Sequence, residues 1–243
     1  MSVFSQIRTV SLREKVAEQI RTAIIEGRLR PNDHVSEAAL TEQLGVSRTP
    51  VREALILLER EALIVSVPNK GSFVRVFTEA DARGLFSMRT ALENFAAELT
   101  IETLDQRDYE HLQELIEAQR KLISHNDFKK VRSADMAFHQ YLIDKSGHPM
   151  LMRSWQEIVA QVAALLFLRA EDNPSYDEYL AIQDHQSILD AYRAHSLEQV
   201  ERENRRINNR VAEECATAVR RLGSAMSRAK RTRQQSRNGL QHP

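Results

Sequence analysis

The sequence predicts a mainly α-helical chain: an N-terminal winged helix-turn-helix followed by an all-helical bundle. Glycine and proline are scarce, at 7 and 6 of 243 residues, too few for the turns of a sandwich or barrel. Beyond residue 78, apolar side chains recur almost throughout at helical spacing. The exception lies earlier, where two short β-type runs, 63–67 and 72–76, flank the turn Pro68-Asn-Lys-Gly71 and read as a hairpin. At 42% hydrophobic and 28% charged, the chain can bury a core in water. It holds no apolar run of about 18 residues, so no membrane-spanning helix is expected. A single cysteine, Cys215, excludes a disulfide framework and a cysteine-based zinc finger. The first residues lack the apolar core of a signal peptide, and the expected location is the cytoplasm.

The elements follow in order. Residues 1–10 read as frayed. Ser11-Leu-Arg-Glu14 is a capping box, in which the hydroxyl takes an orphan N–H and the glutamate reaches back. Val16, Ile20 and Ile24 then mark an amphipathic helix over 12–26, which Gly27 ends. Residues 28–34 contain Pro31 and read as a turn. Ser36 caps a second helix with Leu40 and Leu44 inward, and Gly45 closes it. Ser47 caps a third, held by Val51, Leu55 and Leu58, with Pro50 in its first turn where no donor is lost. Three helices with a tight turn between the last two, then a hairpin wing, make a winged helix-turn-helix over 1–76.

Thr78-Glu-Ala-Asp81 opens a long helix bearing Leu85, Met88, Leu92, Phe95, Ala96 and Leu99. Further helices are expected over 108–124, 129–145, 150–170, 179–194 and 197–222, broken at Asn126-Asp127, at Ser146-Gly-His-Pro149 and around Pro174. The 150–170 segment, with Trp155, Ile158, Val162, Leu165, Leu166 and Phe167, is apolar on more than one side and should be buried. After Gly223 the periodicity fades, and 223–243 reads as a basic, disordered tail.

The net charge of zero conceals an uneven distribution. Residues 1–76 carry 11 basic and 9 acidic side chains, 77–214 carry 16 and 25, and 215–243 carry 7 and none. An acidic middle between less acidic ends suggests separate tasks, and a basic segment is a footprint for a polyanion.

Residues 44–55, Leu-Gly-Val-Ser-Arg-Thr-Pro-Val-Arg-Glu-Ala-Leu, closely resemble the recognition region of GntR-family transcriptional regulators. The likeness extends back to Gly27-Arg-Leu-Arg-Pro31 and forward to Lys70-Gly-Ser-Phe-Val-Arg75. It departs at Asn32 and Ala62, where glycine is common. The second domain, 77–222, resembles the FCD type, the effector domain of the FadR subfamily. The likeness rests on Arg89-Thr-Ala-Leu-Glu93, Asp135-Met-Ala-Phe-His139, Ser146-Gly-His-Pro149 and His185-Gln-Ser-Ile-Leu-Asp-Ala191. This implies a homodimeric regulator of the repressor type. It would bind double-stranded operator DNA through the first domain and a small organic acid through the second, which also mediates dimerisation.

The candidate DNA-binding residues are Ser47, Arg48, Thr49, Arg52, Lys70 and Gly71. Arg48 and Arg52 share a face of the third helix, and arginine can bond guanine bidentately. Ser47 and Thr49 offer hydroxyls beside a helix N-terminus that favours phosphate, and Gly71 lets the wing backbone approach a groove. In the bundle, Asp135 and His139 are i and i+4 on one helix, and His185 comes from a later one. Together they suit Zn, Ni, Mn or Fe. Metal-binding FCD domains usually add a third histidine where this chain has Ile207, so the expected site has three residues, completed by water or by the effector. Asn204 or Asn208 is a possible substitute, and a metal-free pocket made of the same groups is the alternative. Arg89 is either a bidentate clamp for the effector's carboxylate or the salt-bridge partner of Glu93. His148 and His195 read as surface residues. The alternative function is a metal-dependent hydrolase using Asp135, His139 and His185, although no accompanying general base or oxyanion pattern is evident.

Overall fold

A computed structural model describes residues 11–125, 128–174 and 177–239. The expected fraying of 1–10 and the break at Asn126-Asp127 lie outside the described residues. The chain divides into two compact units, 1–76 and 77–243.

In the first unit α1 spans Leu12–Ile25, α2 Glu37–Leu44 and α3 Arg48–Arg60. The Ser11/Glu14 capping box forms at the start of α1, which buries Val16, Ala17, Ile20, Ala23 and Ile24. α3 turns Val51, Ala54, Leu55 and Leu58 into the same core. Full burial of such side chains makes truncation of Leu58 cost about 2–5 kcal/mol. Leu40 and Leu44 are only half-buried, and no residue of α2 is fully buried. The wing has one strand more than the sequence pattern suggests: β1 (His34–Val35), within the expected turn, pairs antiparallel with β3 (Gly71–Val74), which also pairs with β2 (Ile64–Val67). Two residues are too short to show an alternating pattern, which is why periodicity misses β1. The register sets Val35 opposite Ser72 and Val67 opposite Gly71, so the β2–β3 turn is tipped by Asn69 and Lys70.

The second unit has six helices among its described residues: α4 (Glu79–Thr100), α5 (Gln106–Ser124), α6 (Phe128–Lys145), α7 (Pro149–Asp172), α8 (Tyr179–Arg193) and α9 (Leu197–Gly239). α7 buries an unbroken run from Ala160 to Arg169, as its apolar character demands. Trp155 is fully enclosed among Leu92, Ala96, Ile143, Leu151 and Ile158, and its indole N–H donates to Gln140 Oε1 at 2.8 Å. Packing decides which face of α4 is buried, and one expectation changes. Met88, Phe95 and Leu99 are exposed, because α4 buries a different stripe: Ala82, Phe86, Arg89, Leu92, Glu93, Ala96 and Ala97. And α9 continues through Gly223 to Gly239 where a disordered tail was expected. The segment holds no proline before His242 and is rich in Ala, Arg, Gln, Lys and Met, all good helix formers, so one interior glycine does not end the helix.

Candidate functional site

The polar groups expected to carry function occupy two settings. In the first unit all six named residues stand at the surface. Helices α1, α4 and α5 each begin with a closed capping box. α3 does not: the Ser47 hydroxyl makes no capping bond, and the first turn carries no acidic residue. Its backbone donors and positive dipole end are left for an anion. Arg48 is exposed and has no ion-pair partner among the described residues. Arg52 donates from Nε to Glu37 Oε2 at 2.8 Å, rather than to Glu53 or Glu59. Both partners are exposed, so the pair contributes about 0–1 kcal/mol and is readily exchanged for a stronger acceptor. Lys70 is exposed at the wing tip. Gly71 has φ +93°, and a Cβ there would lie 2.7 Å from His34 Nε2. The glycine therefore serves the turn and the packing of His34 against Phe73, whose ring centroids are 5.1 Å apart.

In the bundle, Asp135 and His139 on α6 meet His185 on α8, with one ligand atom from each within 4.8 Å of the others. His139 and His185 are buried. His139 Nδ1 lies 2.8 Å from Glu93 Oε1, and a carboxylate can only accept, so the proton is on Nδ1. His185 Nδ1 lies 2.9 Å from Gln119 Oε1 and donates to it. Each ring therefore turns a lone pair outward from Nε2, and these two nitrogens are 3.1 Å apart, with Asp135 Oδ1 3.4 Å from His185 Nε2. Two facing lone pairs repel unless a cation or proton lies between them. Burial pushes His185 down to about 3, which disfavours the proton. The donor set thus fits a divalent cation, with Glu93 and Gln119 as the outer partners that fix each imidazole.

Glu93 is the hub of this interior. Its Oε1 also takes Arg89 Nε at 2.8 Å, and its Oε2 takes Asn208 Nδ2 at 2.7 Å. Burial raises its carboxyl, but Arg89 and then His139 hold it well below the usual carboxylate range. Arg89 therefore makes the salt bridge, yet it lines the cavity, and its two Nη atoms have no hydrogen-bond partner among the described residues. Ile207 lines the cavity too. Of the amides suggested in its place, Asn204 donates from Nδ2 to Asn94 Oδ1 at 3.0 Å and Asn208 donates from Nδ2 to Glu93, while the buried Asn208 Oδ1, the atom that could act as a ligand, has no hydrogen-bond partner among the described residues. The cavity enclosed by these groups is about 30 Å³, room for an ion and a water but not for an organic acid. Arg169 lines both this cavity and a wider, open cleft of about 550 Å³ along α7 and α9. His148 is half-buried and caps α7, its Nδ1 accepting from Leu151 N at 3.2 Å. Gln119 and the hub role of Glu93 escape sequence reasoning: Glu93 shows only its i+4 spacing to Arg89, and Gln119 carries no signal.

Residues 12–74 match the family described as bacterial regulatory proteins, gntR family, and residues 84–210 match the FCD domain. The chain belongs to the GntR family. It is 30% identical over 189 residues to a probable D-xylose utilization operon transcriptional repressor of Paenarthrobacter nicotinovorans, covering 75% of this chain and 80% of that one. It is 26% identical over 176 residues to the gluconate operon transcriptional repressor of Bacillus subtilis, covering 72% of each. Among solved structures, a GntR regulator from a Rhodococcus species superposes with a TM-score of 0.74 at 24% identity, covering 86% of this chain and 99% of that one. Escherichia coli McbR/YncC superposes with 0.73 at 22%, covering 88% and 99%. The chain is a GntR-family transcriptional regulator with a winged helix-turn-helix and an FCD domain, not an enzyme, which sets aside the hydrolase alternative. GntR regulators bind operator DNA and are typically dimeric. No described helix is long and apolar enough to cross a membrane.

Proposed function

We propose that this regulator is a repressor whose grip on a two-fold operator is set by a small organic acid bound in the helical bundle, beside a divalent ion held by Asp135, His139 and His185. The observation that carries the reading is the convergence of Asp135 Oδ1, His139 Nε2 and His185 Nε2 at a buried cavity, with the two nitrogens 3.1 Å apart. Such a convergence of two imidazole nitrogens and a carboxylate oxygen is suited to a shared cation, of which Zn, Ni, Mn and Fe all accept imidazole and carboxylate. The ion would supply a positive centre for a carboxylate. The chain's own part is to orient both imidazoles through Glu93 and Gln119 and to offer the Nη atoms of Arg89 to the same anion. Ile207 contributes no donor, so one side of the ion is left to water or the ligand.

The cavity as it stands is about 30 Å³, small beside an organic acid, so binding is expected to part the helices that wall it, with Arg169 on the side toward the wider cleft. That displacement is the response a ligand can impose on the fold. In the first unit, Ser47, Arg48, Thr49 and Arg52 on or beside α3 and Lys70 and Gly71 on the wing are the proposed operator contacts. The names of the relatives, repressors of D-xylose and gluconate operons, support repression and a sugar-derived acid as the first compounds to try.

The test is elemental analysis of untagged protein purified without chelator, followed by a thermal-shift screen of sugar acids and other carboxylic acids on the metal-loaded and EDTA-dialysed forms. One equivalent of a divalent metal, absent from His139→Ala, with an acid raising Tm in the loaded form only, is the expected result. Metal-free protein whose Tm rises equally with the acid after dialysis would overturn the metal and leave the pocket.

A further inference from the structure

α9 outruns the bundle it belongs to. Val219 is its last buried residue among the described residues, yet the helix continues to Gly239. From Arg220 to Gly239 that is about 30 Å. The start of the extension is still tied to the bundle, Arg220 to Glu79 at 3.5 Å and Arg221 to Asp172 at 2.9 Å. Leu222 and Met226 are half-buried. Between Met226 and Gly239 the only apolar side chain is that of Ala229, so this stretch has no apolar face to bury. The FCD match ends at residue 210, and the extension lies outside it.

Its charge has one sign. Residues 215–243 hold 7 basic side chains and no acidic one, while 1–214 hold the other 27 basic and all 34 acidic. Five of the seven, Arg228, Lys230, Arg231, Arg233 and Arg237, follow one another closely. Arg228 and Arg231, Lys230 and Arg233, and Arg233 and Arg237 stand three or four positions apart, the spacings at which like charges on a helix repel. The segment contains no carboxylate to relieve that repulsion. A bound polyanion does relieve it.

The placement of the five charges selects the polyanion. At about 100° per residue, positions 228 and 231 share one side of the helix, and positions 230, 233 and 237 share the opposite side. A flat anionic surface such as a membrane calls for one basic face and one apolar face, and this stretch has no apolar face. Single-stranded nucleic acid calls for aromatic rings on which bases stack, and 223–243 contains no Phe, Tyr or Trp. The major groove of a duplex admits an α-helix and sets a phosphate strand on each side of it. Two opposed basic stripes match that geometry.

We infer that the extension of α9, from Arg228 to Arg237, is a second DNA-binding element, which takes the phosphates of duplex DNA outside the base pairs read by α3. It adds affinity without adding sequence preference, because phosphate contacts carry no base information. The inference rests on the proposed reading of the first unit as an operator reader, since that unit brings the duplex to the chain and keeps it at high local concentration.

Fluorescence anisotropy on the full chain tests it, with two DNA probes of about 40 bp: a random-sequence duplex pool, and duplexes that the wild type enriches from that pool. Salt is varied from about 50 to 200 mM. In one variant all five residues become glutamine, whose helix propensity is close to that of arginine and lysine, so helicity by circular dichroism should hold. In a second, the four arginines become lysine and the charge is kept. The glutamine variant should bind both probes at least about tenfold more weakly at the low-salt end, and its slope of log K against log salt should flatten by at least about 2. Its preference for the enriched over the random probe should equal that of the wild type. The lysine variant should keep the wild-type slope, since phosphate needs the charge and not the guanidinium fork. An unchanged slope in the glutamine variant overturns the inference and leaves the operator reading standing. If that unchanged slope comes with lost binding to phosphatidylserine vesicles, the helix belongs to a membrane instead. Loss of the base preference along with the slope would also overturn it, by making the helix a reader of bases. A wild type that enriches no sequence, with the slope difference intact, would overturn the operator reading and leave this element standing.

Discussion

The two units place their functional groups in opposite environments. The named residues on and around α3 and the wing are exposed, and the core beneath them is purely apolar: Val51, Ala54, Leu55 and Leu58. In the bundle the order is reversed. Arg89, Glu93, Gln119, His139, His185 and Asn208 are buried, embedded among helices that are otherwise apolar. A surface set can change without disturbing the fold, whereas a buried set is part of the fold. Recognition and stability are therefore separable in the first unit and bound together in the second.

The strongest test of that contrast is Glu93→Ala. It leaves the Arg89 guanidinium buried without its carboxylate and strips His139 and Asn208 of their acceptor. Removing one member of a buried pair typically costs about 3–5 kcal/mol. Urea unfolding of the full chain should show a loss of that size in the transition of the bundle. A loss below about 1 kcal/mol would mean that water replaces Glu93 freely, and the contrast between the units would fail.

Arg48→Ala and Arg52→Ala address the other half. Each should weaken operator binding by about 1–3 kcal/mol and relax the preference at one base pair, while stability stays within about 0.5 kcal/mol. Arg52 loses only the exposed pair with Glu37, which does not change this expectation. Quantitative footprinting over a set of single-base operator variants reads the preference directly. Uniform weakening across all of them would reassign the arginine to a phosphate.

The same contrast explains what the sequence reveals. The recognition region is contiguous, because one helix and the turn before it carry nearly all of it, and the capping, periodicity and turn residues of 11–76 can be read off directly. The bundle site draws on α4, α5, α6, α8 and α9. Spacing within one helix brings Asp135 to His139 and Arg89 to Glu93, but nothing in the one-dimensional pattern joins α5 to α8. Hence Gln119, which fixes His185, is invisible until the helices are packed. The same limit leaves open which face of α4 is buried. Periodicity finds an apolar stripe on α4, but that helix has a second stripe, with Phe86, Arg89 and Glu93, and only packing decides which one is buried. The end of α9 failed for another reason. Loss of apolar periodicity removes the sign of a buried face, not the propensity for helix.

The smallest predicted effect lies where the family pattern and this chain differ. Asn32 and Ala62 stand where glycine is common, and both adopt left-handed backbone, with φ of 71° and 52°. The local path is thus kept although the residue that favours it is gone. Asparagine tolerates this region, whereas alanine has a Cβ that crowds the neighbouring carbonyl, at a cost of about 1–2 kcal/mol. The position matters because Ala62 closes α3 and leads into β2, with its N–H on Glu59 O at 3.0 Å and the next N–H, that of Leu63, on Leu58 O at 3.0 Å. Ala62→Gly relieves the crowding but returns backbone freedom to the unfolded chain, which offsets part of the gain. The expected net result is a stabilisation of the first unit by about 0.5–1 kcal/mol, read as a rise in its urea midpoint. Operator affinity should be unchanged, since Ala62 is at the far end of α3 from Arg48. A fall in stability would mean that the left-handed turn is not strained by alanine. A change in affinity with no change in stability would mean that recognition and folding are less separable in this unit than its exposed arginines suggest.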